Sequence, residues 1–228
     1  MNHQPVSKVK PPIANHHHPN SMNTHPLAAN IPLFRNLSDS DRQAIVRDCR
    51  TRQYQPGDII FHEGDPGNVL YLIQNGQVRI FVNGLDGSET SVILFGRPGD
   101  MFGELAVIDG LPRSATAVAL TPVTLYLISR DDFRRHMRRS PQLALNFMRE
   151  LSLRVRYNTQ QMDSLATQAL SQRLARKLLQ LAQDYGIASK TGVLLNIPLT
   201  QSDLASLVNA SRESINKQLR EFRRLGWV

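Results

Sequence analysis

Residues 54–82, YQPGDIIFHEGDPGNVLYLIQNGQVRIFV, hold three short apolar runs (DIIF, VLYLI and QVRIFV) divided by Gly57, Gly64, Gly67 and Gly76. Branched and aromatic side chains suit a pleated surface, and glycine supplies the turns between strands. The same texture continues outward to Ile128 through TSVILF, ATAVAL and VTLYLI, with further turn glycines at Gly84, Gly87, Gly96, Gly99 and Gly110. Many short strands at close spacing predict an antiparallel sandwich or roll.

Upstream of this stretch, LAANIPLFRNLSDSDRQAIVRDC (residues 27–49) reads as helical, with Ser38 as its N-cap. Residues 1–26 are rich in Pro, Asn and His with no apolar period, a composition that predicts a disordered tail. His16, His17 and His18 are read there as solvated side chains rather than metal ligands, and no metal site is expected.

Downstream, residues 143–182 contain neither Pro nor Gly, predicting one long helix or two with a hinge. Leu151, Val155, Asn158, Met162, Leu165 and Ala169 are spaced by four and three in alternation. With polar flanks on both sides, this is the seam of a helix that pairs with a second copy of itself. The competing reading is that the stripe packs on the chain's own roll. SQRLARKLLQLAQDYG then ends at Gly186, a residue suited to the C′ position, before a turn and a short strand in TGVLLNIP.

Residues 200–225, TQSDLASLVNASRESINKQLREFRRL, hold two capped helices. Thr200 caps the first, with Asp203 favourably placed three residues on. Asn209 tolerates the left-handed backbone of a tight inter-helix turn. Ser211 caps the second helix, whose Ile215, Leu219 and Phe222 face inward while Arg212, Glu213, Asn216, Lys217 and Arg220 face out. With small Ala205 where the helices cross, this predicts a helix-turn-helix. Arg212 suits guanine, Glu213 suits cytosine, and Lys217 suits guanine or phosphate; the bland alternative is a helical hairpin with a solvated charged face.

The 228-residue chain carries a formal net charge of +8, which favours a polyanionic partner such as double-stranded DNA. Eight arginines stand against three acids between Arg130 and Arg156, so the basic half is C-terminal. A single cysteine, Cys49, excludes a disulfide framework and any multi-cysteine cluster. No run approaches the roughly 18 apolar residues of a membrane span, and no secretory signal is visible, so a cytoplasmic protein is expected. There is no Ser/His/Asp set, metal-ligand spacing or nucleoside-triphosphate loop, so an enzyme is not expected.

Two motifs resemble the cyclic AMP receptor protein / fumarate–nitrate regulator (CRP/FNR) family over roughly residues 31–227. FGELAVIDGLPRSATAVAL, from Phe102 to Leu120, is similar to its phosphate-binding cassette, and ASRESINKQLREF to its recognition helix; YQPGDIIFHEGDP is similar to its early β-roll signature. The cassette also makes chemical sense unaided. Arg113 can fork onto a cyclic phosphate, Ser114 adds a hydroxyl and Ala115 a backbone N–H, Gly103 permits close approach, and Glu104 can accept from a ribose hydroxyl. The alternative is a structural ion pair between Glu104 and Arg113.

The resemblance implies an α+β chain: a roll that binds a cyclic nucleotide, a long dimerisation helix, and a winged-helix-like domain with its wing missing. The implied boundaries are a tail at 1–26, the roll at 27–142, the dimer helix at 143–170 and the DNA-binding domain at 171–228. It implies a ligand site at Gly103, Glu104, Leu105, Arg113, Ser114, Ala115 and Thr116, closed by Asn158 and Thr159 of the long helix. It implies a DNA site at Thr200, Ser211, Arg212, Glu213, Asn216, Lys217 and Arg220, a hinge near Ala169–Ser171, and recognition helices about 34 Å apart in the dimer. Cyclic AMP is the favoured effector; cyclic di-GMP, or none, are the alternatives, and the implied partners are double-stranded DNA, a second copy and RNA polymerase. The rival class is a cyclic-nucleotide-binding module of a larger signalling assembly.

Overall fold

The computed structural model describes residues 31–84, 89–190 and 192–228; the predicted tail and its histidines lie outside them. A 3-10 turn at Pro32–Phe34 precedes helix α1 (Asp39–Asp48). Ser38 caps α1 by accepting from the Asp41 amide.

Among the described residues eight strands follow: β1 (Arg50–Tyr54), β2 (Ile59–Phe61), β3 (Val69–Asn75), β4 (Val78–Asn83), β5 (Glu89–Phe95), β6 (Met101–Phe102), β7 (Thr116–Ala119) and β8 (Val123–Ser129). They form two antiparallel four-stranded sheets, β1-β8-β3-β6 and β2-β7-β4-β5. A short helix α2 (Glu104–Asp109) interrupts the run between β6 and β7.

The continuous apolar run of β3 has a structural cause. Tyr71 and Ile73 point into the core between the sheets, while Leu70 and Leu72 point the other way, against Phe34, Phe133, Leu143 and Phe147. Strand β8 divides likewise, with Leu125 inward and Tyr126 and Ile128 toward the helices. A strand covered on both faces loses polar alternation, the pattern usual for buried parallel sheets.

Helices α3 (Arg130–Arg139) and α4 (Pro141–Thr167) cover that outer face. Asn146 of α4, 1% exposed, donates to the carbonyls of Leu33 and Arg35 (3.0 and 2.6 Å), fixing the 3-10 turn to the long helix. Leu151 packs half-buried against the same core, as the competing reading of the stripe has it at this position. Val155, Met162 and Leu165 are exposed, and the exposed apolar stripe extends N-terminally through Met148 and Leu145. It therefore runs Leu145, Met148, Ser152, Val155, Thr159, Met162, rotated from the predicted seam at its N-terminal end.

The helix breaks at Gln168, whose extended backbone leads to Ala169 and helix α5 (Leu170–Tyr185). Gly186 is extended (φ −75°) rather than left-handed and opens strand β9 (Gly186–Ser189), which the sequence reading missed; β9 pairs with β10 (Gly192–Leu195). Helices α6 (Gln201–Leu207) and α7 (Arg212–Arg224) complete the C-terminal unit around Leu174, Ala205, Ile215, Leu219 and Phe222. Among the described residues no strand follows α7.

Candidate ligand pocket and nucleic-acid interface

At the end of β6 the chain must turn into α2 while passing close to an arginine. Gly103 does both: it is left-handed (φ +73°), and a Cβ there would lie 2.5 Å from Nη1 of Arg113. Arg113 is 5% exposed and lies over the rings of Phe61 and Tyr71, 4.3 and 5.4 Å from their centroids. It donates from Nη1 to the Gly103 carbonyl (2.7 Å) and from Nη2 to that of Val69 (2.8 Å). The guanidinium has five N–H donors; it also hydrogen-bonds Tyr71, so two remain, and Nε has no partner among the described residues. Burial pushes the Arg113 value below its ordinary range, opposed by Tyr71 and Glu104.

Glu104, 4% exposed, does not form an ion pair with Arg113. Its Oε1 accepts from Nη1 of Arg154 on α4 at 2.5 Å, and Nη2 of Arg154 donates to the Met101 carbonyl at 2.8 Å. Arg154 also lies over Phe95, 4.9 Å from the ring centroid. Sequence reasoning missed Arg154: it stands beside the seam residue Val155, and no local pattern ties it to a cassette fifty residues earlier.

These groups line a cavity of about 210 Å³. Gly103, Glu104, Leu105, Arg113, Ser114, Ala115 and Asn158 all face it, opposite an apolar wall of Phe61, Ile80, Val82, Ile93 and Phe95. Thr116 does not: it is buried and its hydroxyl accepts from the Glu63 amide (3.0 Å), a role in joining strands. Thr159 is exposed, lies outside the cavity, and donates to the Val155 carbonyl (3.0 Å). His136 is tied to Asp48 (2.7 Å), a structural contact between α3 and α1.

In the C-terminal unit, Thr200 and Asp203 form a reciprocal capping box and Ser211 accepts from the Ser214 amide, as the sequence predicts. Asn209 is left-handed (φ +51°), and the Ala210 amide donates to the carbonyl of buried Ala205, closing the turn. Arg212, Glu213, Lys217 and Arg220 are exposed and Asn216 half-exposed on one face of α7. No ion pair to a described residue engages Arg212, Lys217 or Arg220, whereas Arg224 is paired with Glu221. The unit rests on the roll: Ser206 of α6 accepts from the Ser91 amide and donates to its hydroxyl (2.7 Å), and Arg79 lies 3.6 Å from Asp203.

Residues 51–140 match the family model for a cyclic nucleotide-binding domain, and residues 172–228 that for a Crp-like helix-turn-helix domain. The chain is 33% identical over 202 residues to the CRP-like cAMP-activated global transcriptional regulator of Mycobacterium tuberculosis, covering 89% of this chain and 90% of that one. The chain belongs to the CRP/FNR family of transcription regulators. A second relative of this CRP/FNR chain, the cyclic AMP receptor protein of Thermus thermophilus, is 34% identical over 188 residues, covering 82% and 83% of the two chains. The fold is also that of the c-di-GMP responsive global regulator CLP of Xanthomonas campestris (TM-score 0.73, 23% identity, covering 83% and 93%). This CRP/FNR chain thus joins a cyclic-nucleotide-binding roll to a helix-turn-helix. Among the described residues no helix is long and apolar enough to cross a membrane.

Proposed function

We propose that the chain is a homodimeric, sequence-specific DNA-binding regulator whose affinity for DNA is set by cyclic AMP in the roll cavity. The observation that carries this reading is the composition of the cavity wall. Buried Arg113 and Glu104 sit beside Ser114 on one side, and Asn158 of α4 stands on the other. The spare donors of Arg113 and the Ser114 hydroxyl suit a cyclic phosphate, Glu104 suits the ribose hydroxyl, and the apolar wall with Asn158 suits the base. One guanidinium–carboxylate set matches one phosphate–ribose unit, which favours a mononucleotide over cyclic di-GMP.

Dimerisation through the exposed α4 stripe brings the partner's copy of α4 alongside, and Thr159, on that stripe, then faces the second subunit. Ligand contacts on α4 reach the C-terminal unit through the break at Gln168–Ala169, close to the predicted hinge. A ligand that favours the DNA-competent arrangement shifts the population toward it, with a coupling on the order of 1–3 kcal/mol. Kinship with named transcription regulators supports double-stranded DNA and RNA polymerase as partners and the cytoplasm as the compartment.

Calorimetric titration with cyclic AMP, cyclic GMP and cyclic di-GMP, repeated on Arg113→Ala, tests this. Saturable binding of cyclic AMP near one per chain, lost in the variant, supports the reading. Preference for cyclic di-GMP replaces the effector, and silence with all three removes the nucleotide altogether.

A further inference from the structure

We propose that the cleft enclosed by α4, α5 and α6 is a second ligand site, for a phosphate or phosphomonoester group. It shares no residue with the roll cavity, and the inference does not depend on the nucleotide reading.

Its centre is Lys177 of α5, 7% exposed. Nζ donates to the Tyr157 hydroxyl (2.8 Å) and to Oε1 of Gln180 (3.1 Å), both neutral groups, and is 5.4 Å from the Tyr157 ring centroid. An ammonium has three donors, so one remains, and no described carboxylate lies within ion-pair distance. A buried cation with no counter-charge is costly to maintain. Arg173, whose guanidinium also holds the carbonyls of Val208 and Gln168, and Arg176 line the same cleft, and no Asp or Glu does. Three cations around about 130 Å³ match the size and charge of a tetrahedral oxyanion, which Arg and Lys bind through charge-assisted hydrogen bonds.

The cleft also has two walls that belong to different parts of the chain. Arg173 of α5 donates to the Val208 carbonyl (3.2 Å) and Ser206 of α6 meets Ser91 of the roll. An anion held between them favours the arrangement in which α6 rests on the roll, which makes the site a regulatory one.

The test is calorimetric titration of the full chain with inorganic phosphate in chloride buffer at fixed ionic strength. Saturable binding near one per chain is expected in the wild type and in Arg113→Ala. Lys177→Met should weaken it roughly tenfold or more. Arg176→Gln, at an exposed position that leaves the fold intact, should weaken it several-fold. Absence of saturable binding in the wild type, wild-type affinity in both cleft variants, or loss in Arg113→Ala instead would each overturn the proposal.

Discussion

Glu104 and Arg154 meet at 2.5 Å, one from the cassette after β6 and the other from the long helix α4. The pair fastens the floor of the roll cavity to the helix that also presents the exposed apolar stripe. Arg154 further holds the Met101 carbonyl, so moving α4 along the roll breaks two charge-assisted contacts together.

Arg154→Met leaves the carboxylate of Glu104, 4% exposed, without its hydrogen-bonded cation. Removing one member of a buried pair costs about 3 kcal/mol. Urea unfolding should show that loss, and adding Glu104→Gln to the same chain should restore most of it. Equal instability of the single and double variants would mean that Arg154 acts through packing on Phe95 rather than through the pair.

On α7, Arg212 and Lys217 are exposed and free of ion pairs with described residues, so each is available to DNA without breaking an internal contact. Once a site is obtained by selection from random-sequence DNA, Arg212→Ala should cost about 1–3 kcal/mol there and relax preference at one base pair. If Lys217 meets phosphate instead, Lys217→Ala should weaken all sequences alike and lower the salt slope by about one. Fluorescence anisotropy across a salt series separates these outcomes; no change in either variant would place DNA elsewhere.

Local chemistry made much of the molecule legible in advance. Gly103, Arg113 and Ser114 act within a dozen residues of one another, and the caps at Thr200 and Ser211 and the left-handed Asn209 are properties of a few neighbouring residues. What escaped depends on how distant elements cross. Arg154 matters only because α4 passes Met101 and Glu104, and Asn146 only because the 3-10 turn lies beneath it. Leu151, read as a seam residue, packs half-buried on the roll for the same reason: heptad spacing cannot tell which of two adjacent stripes the roll covers. Thr116 carries the cassette pattern, yet strand pairing turns its hydroxyl to the Glu63 amide.

Burial, with Asp48 and Asp132 adding to it, pushes the Cys49 thiol from its ordinary value of 9.0 up to about 12. The folded chain therefore holds this proton more tightly than the unfolded chain. The contribution to stability is fully present below pH 9 and is lost as pH rises from there toward 12. Tyr54, Tyr71, Tyr126 and Tyr185 are raised by burial too and add to the same alkaline decline. Urea midpoints measured from pH 8 upward should fall less steeply in Cys49→Ala than in the wild type. The native thiol should also resist disulfide reagents at pH 8 and react once the chain is unfolded. An unchanged alkaline slope together with rapid native labelling would show that the thiol is open to solvent.

The α4 stripe and the adjacent core residue make opposite demands on a variant. Val155 and Met162 are 65% and 70% exposed, so Val155→Glu or Met162→Glu leaves the subunit's own packing untouched. Across a helix pair the same change brings two carboxylates into an apolar seam, which disfavours association. Light scattering should then report half the wild-type mass with near-native thermal stability of the roll. Leu151→Ala should do the reverse: it removes contacts with the core between α4 and the roll, costs about 2 kcal/mol, and leaves the mass of the folded protein unchanged. If Leu151→Ala dissociates the protein and Val155→Glu does not, the seam follows the heptad spacing through Leu151 after all, and the roll must release that side chain when two copies meet.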